Sequence, residues 1–272
     1  MPKPPGWEMM IDWYFFLGGI AGGAYFTAAI ADNFGSARDG RVAKIGYLIA
    51  LPLTGLCGLL LTADLGMPTR FLNMMRTFKF WDPMSIGAWA VGIFGVFTFV
   101  SSVLSFTSSD TLASLRRKIS LVGMLFGFFL ASYTGVLLSA TALPFWSDAR
   151  LMGALFLASG ASTGMASISL LLYLSGDSAG EGFKKVKRAD RFAILFEMAV
   201  LVLFLVLLGS AAAPLVSGSL APLFWGGLVV AGLVAPLLLD VLGARWVPAV
   251  IPAVLVLVGG FILRYVVVMT HA

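Results

Sequence analysis

A chain of 272 residues that is 60% hydrophobic and 11% charged, with a mean hydropathy of +0.98, excludes a water-soluble fold, in which about a quarter of residues are charged. Its net charge of +5 does not call for nucleic acid, because the basic residues lie in short segments between apolar runs, where membrane topology accounts for them. The single cysteine, Cys57, and the single histidine, His271 at the penultimate position, leave no ligand set for an intrachain disulfide, a structural zinc, an iron–sulfur cluster or a histidine-held haem within the spans.

The opening Met1–Trp7 stretch lacks the basic region, short apolar run and small-residue cleavage site of a secretory leader, so the first span is expected to stay in the protein. The expected fold is an all-α integral membrane domain over the whole chain, with eight transmembrane helices. Long apolar runs place them at roughly 11–33, 42–66, 84–107, 118–143, 150–175, 190–213, 221–243 and 247–269. Short turns rich in Gly, Pro, Ser and Asp separate most of them, which favours antiparallel neighbours.

Span one carries Asp12 and Tyr14, then Gly18, Gly19, Gly22 and Gly23. Span two ends at Asp64, which opens a polar segment containing Gly66, Pro68, Arg70 and Phe71; Asp82, Ser85, Gly87 and Trp89 follow at the start of span three. Ionisable groups beside hydrocarbon are costly and usually face a cavity, a partner or a ligand. Asp64 suits accepting a ligand hydroxyl or relaying a proton; the plainer reading is a turn cap or a pair with Arg70. Tyr133 is placed near the middle of span four, where its phenol needs a partner and Gly135 leaves room for one. A neighbouring helix would satisfy it equally well.

Span five repeats the small-residue spacing of span one in Ser159, Gly160, Thr163 and Gly164. Such pairs let helix backbones approach closely in lipid. The echo suggests two packed four-helix bundles, about 11–143 and about 150–269. Glu197, about two turns into span six, is a candidate proton-path carboxylate; pairing with Arg191 or snorkelling to the surface would also explain it. Arg264, near the end of span eight, either snorkels outward or neutralises a buried carboxylate or ligand oxygen. Asp12, with Asp32 and Asp240, sits at a span end, where interfacial carboxylates are common. Trp7, Trp13, Trp81, Trp146 and Trp246 fall near span ends, as an aromatic belt requires.

Of the 18 basic residues, twelve lie between spans one and two, three and four, five and six, or seven and eight: Arg38, Arg41, Lys44, Arg116, Arg117, Lys118, Lys184, Lys185, Lys187, Arg188, Arg191 and Arg245. The positive-inside rule then puts both termini and the Asp64–Trp89 segment on the non-cytoplasmic face of a prokaryotic inner membrane.

At these residues the sequence resembles the NrfD/PsrC family, the integral-membrane subunits of polysulfide-reductase-type respiratory complexes. The resemblance is carried by Asp64, Gly66, Pro68, Arg70 and Phe71; by Pro83, Ser85, Gly87 and Trp89; and by Tyr133 to Ala140 with Pro144 and Trp146. Ser159–Gly164 and Gly259, Gly260, Arg264 and Tyr265 extend it over essentially the whole length. It implies a haem-free and metal-free subunit that exchanges electrons between the quinone pool (menaquinone or ubiquinone) and a docked ferredoxin-like iron–sulfur subunit. That partner would connect to a molybdopterin or multihaem catalytic subunit. By the same resemblance, the quinone head lies near Asp64, Arg70, Phe71, Ser85, Trp89 and Tyr133, with Asp64 and Tyr133 as the reacting groups. Asp12, Glu197 and Arg264 would form the proton route. Some family members have a first-span histidine near the quinone; this sequence has none there, and Asp12 or Tyr14 is left to take that place. Two other readings of the residues stay open: a proton-coupled secondary transporter and an inert membrane anchor for a redox partner.

Overall fold

The computed structural model describes residues 9–63, 76, 78–79, 81–107, 109–140, 145–146, 149–242 and 247–270. Among the described residues, eight helices are long and apolar enough to cross a membrane: α1 (Met9–Phe34), α2 (Gly40–Ala63), α3 (Pro83–Leu104), α4 (Asp110–Ser139), α5 (Met152–Leu174), α6 (Glu181–Val216), α7 (Leu223–Val241) and α8 (Val250–Met269). Among the described residues there is no strand. The fold is the expected all-α membrane architecture. In lipid a helix satisfies its own backbone polar groups, and the apolar runs leave no other arrangement.

Two helices start earlier than hydropathy alone suggests. α6 begins at Glu181, because Phe183 and Val186 turn inward and are buried while lysines and arginines occupy the outer face. Lys184, Lys185, Lys187, Arg188 and Arg191, expected in a loop, therefore stand on the first turns of that helix. α4 begins at Asp110, so Arg116, Arg117 and Lys118 are helical too. The shift also moves Tyr133, which lies in the last two turns of α4 and not at mid-span.

α1 packs on α2, α2 on α3, α3 on α4, and α4 returns to α1; α5 packs on α6 and α8, and α8 on α7. α5 also packs on α4 and crosses α1. The repeated small residues are what make that crossing: a Cβ on Gly23 would run into the backbone of Gly160 and Gly164, and one on Gly164 into the backbone of Gly23. A second close approach joins α7 and α8 at Gly232 and Gly259. There α7 is a π-helix over Leu223–Val234, wider than an α-helix, and Trp225 Nε1 anchors its start by donating to the Val216 carbonyl at 3.1 Å.

Ion pairs gather at one end of the helices. Arg38 meets Glu181 at 2.8 Å, Lys185 meets Asp39 at 2.6 Å, and Lys187 meets Asp240 at 2.7 Å. Arg116 grips Asp32 through two 2.7 Å hydrogen bonds, and Tyr47 donates to the same carboxylate at 3.2 Å. Asp32 is therefore a buried anchor and not a solvated interfacial group. The connections after α1, α3 and α5 and the end of α7 thus share one side, called the charged end below; the start of α3 and the end of α4 lie at the opposite, outer end. Trp13 and Trp81 are exposed near the outer end as a belt requires, but Trp146 is fully buried and donates from Nε1 to the Val267 carbonyl at 3.0 Å. It is a core residue, because its indole ties the segment before α5 to the end of α8. Trp7 and Trp246 lie outside the described residues.

Candidate functional site

The start of α3 is built to hold a defined backbone. Asp82 is its N-cap and accepts from the Met84 amide at 3.1 Å, while Pro83 occupies the first helical position, where a missing N–H costs nothing. Ser85 Oγ accepts from the Lys79 amide at 3.1 Å, fastening the preceding segment to the helix. One turn on, Gly87 presents no side chain, and the Tyr133 ring from α4 fills the space a Cβ would take. From there the Tyr133 hydroxyl donates to the Pro83 carbonyl. The phenol is thus satisfied by a neighbouring helix, and it sits at the rim of an apolar opening at the outer end.

That opening is a groove between α3 and α4 with a volume of about 380 Å³, lined by Phe78, Ile86, Trp89, Ile93, Leu125 and Phe129 among others. Phe78, Leu125 and Phe129 are exposed on the helix surface, so the groove faces sideways, toward where lipid would be. Phe129 stacks on Tyr133 with centroids 5.4 Å apart, which connects the groove wall to the phenol. Trp89 meets Phe78 edge-on at 5.9 Å. Its indole Nε1 is buried and has no hydrogen-bond partner among the described residues. An N–H in that condition costs about 1–3 kcal/mol and marks a place where an acceptor belongs.

On α1, Tyr14 is buried and lies close enough to Tyr133 for the two phenols to interact electrostatically; Cys57 Sγ donates to its carbonyl at 3.8 Å. Asp12, half a turn away, is fully buried, and neither carboxylate oxygen has a partner among the described residues. Ser85, Trp89, Tyr133 and Tyr14 thus fall in the outer part of the first four helices. Asp64, Arg70 and Phe71 lie outside the described residues.

Arg264 and Glu197 form a separate, inner cluster. Arg264 is fully buried and does not snorkel. Its Nε donates to the Phe15 carbonyl at 3.0 Å, and Nη1 to Ser159 Oγ at 3.1 Å and the Gly260 carbonyl at 2.7 Å. The guanidinium lies over the Phe156 ring at 5.2 Å, in space left by Gly19. Glu197 is buried too, and accepts from Ser162 Oγ at 2.6 Å; it pairs with neither Arg191 nor solvent. Ser159 stands between Glu197 and Arg264. Because Phe15 directly follows Tyr14, one turn of α1 links the inner cluster to the outer site.

Sequence reading missed Asp190. It sits among basic residues that look like a loop, yet it is buried on α6. The signal was its position seven residues before Glu197, which puts both on one helix face. Among the described residues, no group of three or more His, Cys, Asp or Glu side chains converges as a metal site would require.

Comparison with known proteins returns a match to the family model for polysulphide reductase, NrfD, over residues 1–271. The sequence is 31% identical over 271 residues to the C chain of polysulfide reductase from Wolinella succinogenes, covering 86% of this protein and 83% of that one. It is 25% identical over 263 residues to the protein NrfD homolog of Haemophilus influenzae, covering 85% and 82%.

Proposed function

Because the chain belongs to the NrfD polysulphide reductase family, we propose that it is the membrane subunit of a respiratory redox complex and supplies that complex with its quinone site. Electrons pass between a lipid-borne quinone and an iron–sulfur subunit of ferredoxin type, docked on the outer end; that subunit serves a molybdopterin or multihaem catalytic partner. The charged end faces the cytoplasm, and both termini lie on the other side.

The observation that carries the reading is the groove between α3 and α4. A quinone is a flat ring with two acceptor oxygens and a long apolar tail. The groove offers aromatic and aliphatic walls open toward lipid, Trp89 among them with its unpartnered N–H buried behind the wall, and Phe129, which stacks on Tyr133. Orientation by a few polar groups in an apolar cleft is the usual plan of a small-molecule site. Converting the ring to its quinol consumes two electrons and two protons. The electrons are exchanged with the iron–sulfur partner, and the protons are the business of this subunit's own side chains. Tyr133, its hydroxyl turned from the Pro83 carbonyl to the ring, and, by the family motif, Asp64 are assigned to the ring oxygens, with Arg70 and Phe71 beside them. Asp12 and Tyr14 take the position near the ring on α1, and Glu197 with Arg264 belongs to the proton route.

The test is steady-state turnover of the assembled complex with a water-soluble quinol analogue. Trp89→Phe and Tyr133→Phe are each expected to raise KM about tenfold, the loss of one hydrogen bond to the ring, and Asp64→Asn to lower kcat. Unchanged constants in all three would leave the protein an anchor without a site of its own.

A further inference from the structure

Glu197 lies on the seam between α5 and α6, whose connected ends are at the charged end. These helices are antiparallel neighbours joined by a short turn. Ser162 on α5 touches Glu197 on α6, which fixes their register. Two antiparallel helices rise equally per residue, so seven residues along each, about 10 Å, stay level and return to the same face. Moving toward the charged end, that step goes from Ser162 to Ser169 and from Glu197 to Asp190. Both are 2% exposed. Ser169 Oγ and Asp190 Oδ1 are both buried without a hydrogen-bond partner. Orphaned polar atoms are rare in protein interiors, and two on one level of one seam are not accounted for by packing.

The other charged groups about Asp190 define a route. Lys187, on the same helix, pairs with Asp240 of α7 at 2.7 Å, and both lie within electrostatic reach of Asp190, as does Glu197. The Lys187 and Asp240 side chains are 15% and 11% exposed, so the pair touches solvent at the charged end. Beyond Glu197, Ser159 leads to Arg264, whose positive charge is fixed by carbonyls from α1, α5 and α8.

We propose that Asp190 and Ser169 form a hydrated proton station connecting the charged end of α6 to Glu197. A water bound between Asp190 Oδ1 and Ser169 Oγ receives the Asp190 proton, and further waters along the seam relay one over the remaining distance of about 10 Å to the Glu197 carboxylate. Asp190 regains its proton from solvent past the Lys187–Asp240 pair. Only O–H bonds are made and broken, and no electron moves. Asp190 is a proton carrier that never meets the quinone. The proposal rests on the redox reading above, because quinone turnover is what draws protons through the seam.

The experiment uses the whole complex in vesicles, with quinol-analogue turnover and proton exchange at the charged end read in parallel. Asp190→Asn is expected to cut that exchange about a hundredfold, the low end of the range for losing one proton-transfer group, and Asp190→Glu to restore it. Ser169→Ala lowers it several-fold without changing charge. Unchanged exchange in Asp190→Asn, or wild-type turnover with no exchange at that end, overturns the station while leaving the quinone site intact. Absence of quinone-dependent turnover in the wild type overturns both. Independently of any variant, an experimental map of the wild-type complex at water-resolving detail should show a water joining Asp190 to Ser169; dry side-chain contact there overturns the proposal.

Discussion

Gly87 leaves the Tyr133 ring in the volume a methyl group would occupy, and the site at the outer end depends on that exchange of space. Gly87→Ala must displace the phenol from the Pro83 carbonyl, since the ring atoms and not a flexible side-chain tip stand in the way. The expected result is a KM for quinol analogue raised about tenfold with complex assembly retained, because overpacking at one position costs about 1–3 kcal/mol. Kinetics and the thermal midpoint of the purified complex check the two halves. Tyr133 was legible because a phenol inside an apolar run asks for a partner, and Trp89 only through the family motif. Which atom answers was not legible: Tyr133 Oη finds the Pro83 carbonyl only through the α3–α4 packing. Asp190 was invisible for a related reason. Its neighbours in sequence are Arg188, Arg191 and Lys187, so local composition reads as solvated surface, and only the packing of α6 on α5 buries the carboxylate.

Among elements, the crossing of α1 and α5 is the closest fit, glycine against facing backbone. Gly23→Ala and Gly164→Ala each push a Cβ into facing backbone, which cannot give way as a side-chain tip can. Each should lower stability by about 1–3 kcal/mol, seen as a lower thermal midpoint in detergent. Gly55→Ala in α2, where a Cβ meets nothing within 4 Å, is the control and should not lower the midpoint. At the charged end, burial would raise the Asp39 carboxyl, but hydrogen bonds from Lys185 and Ser36 hold it below its ordinary value. A carboxyl lowered by folding stabilises above its unfolded pKa of about 3.9, and that contribution is lost as pH falls through the folded value. Asp39→Asn should therefore flatten the thermal midpoint's dependence on pH below about pH 4. The effect should stay under about 1 kcal/mol, because Lys185 is half exposed. The eight spans were legible because apolar runs of membrane length admit only helices. Their charged-end limits were not: α6 starts earlier because Phe183 and Val186 find cover, and hydropathy does not register burial on one face of a basic stretch. Trp146 misled in the opposite sense, being near a span end yet enclosed by α8.

For the whole molecule, polarity is divided by position. The described cations Arg38, Arg41, Arg116, Lys185 and Lys187 pair with carboxylates at the charged end, so part of that end's positive charge is neutralised from within. The outer end carries the α3–α4 groove, and the inner cluster of Arg264 and Glu197 lies between the two. This order fits a subunit that takes a lipid-soluble carrier from the side, meets a redox partner at one face and exchanges protons with the other. Family membership was legible because the motif residues recur in order along the sequence. The groove was not, since it is made by Phe78, Ile93 and Leu125, which are ordinary lipid-facing side chains in sequence. The most direct measurement is an experimental map of the assembled complex with a quinone analogue bound. The account predicts the ring between Trp89 and Tyr133, its tail leaving between α3 and α4, and an iron–sulfur subunit seated over the segment that precedes α3. A ring bound elsewhere, or phospholipid filling that groove in the presence of saturating analogue, would contradict it.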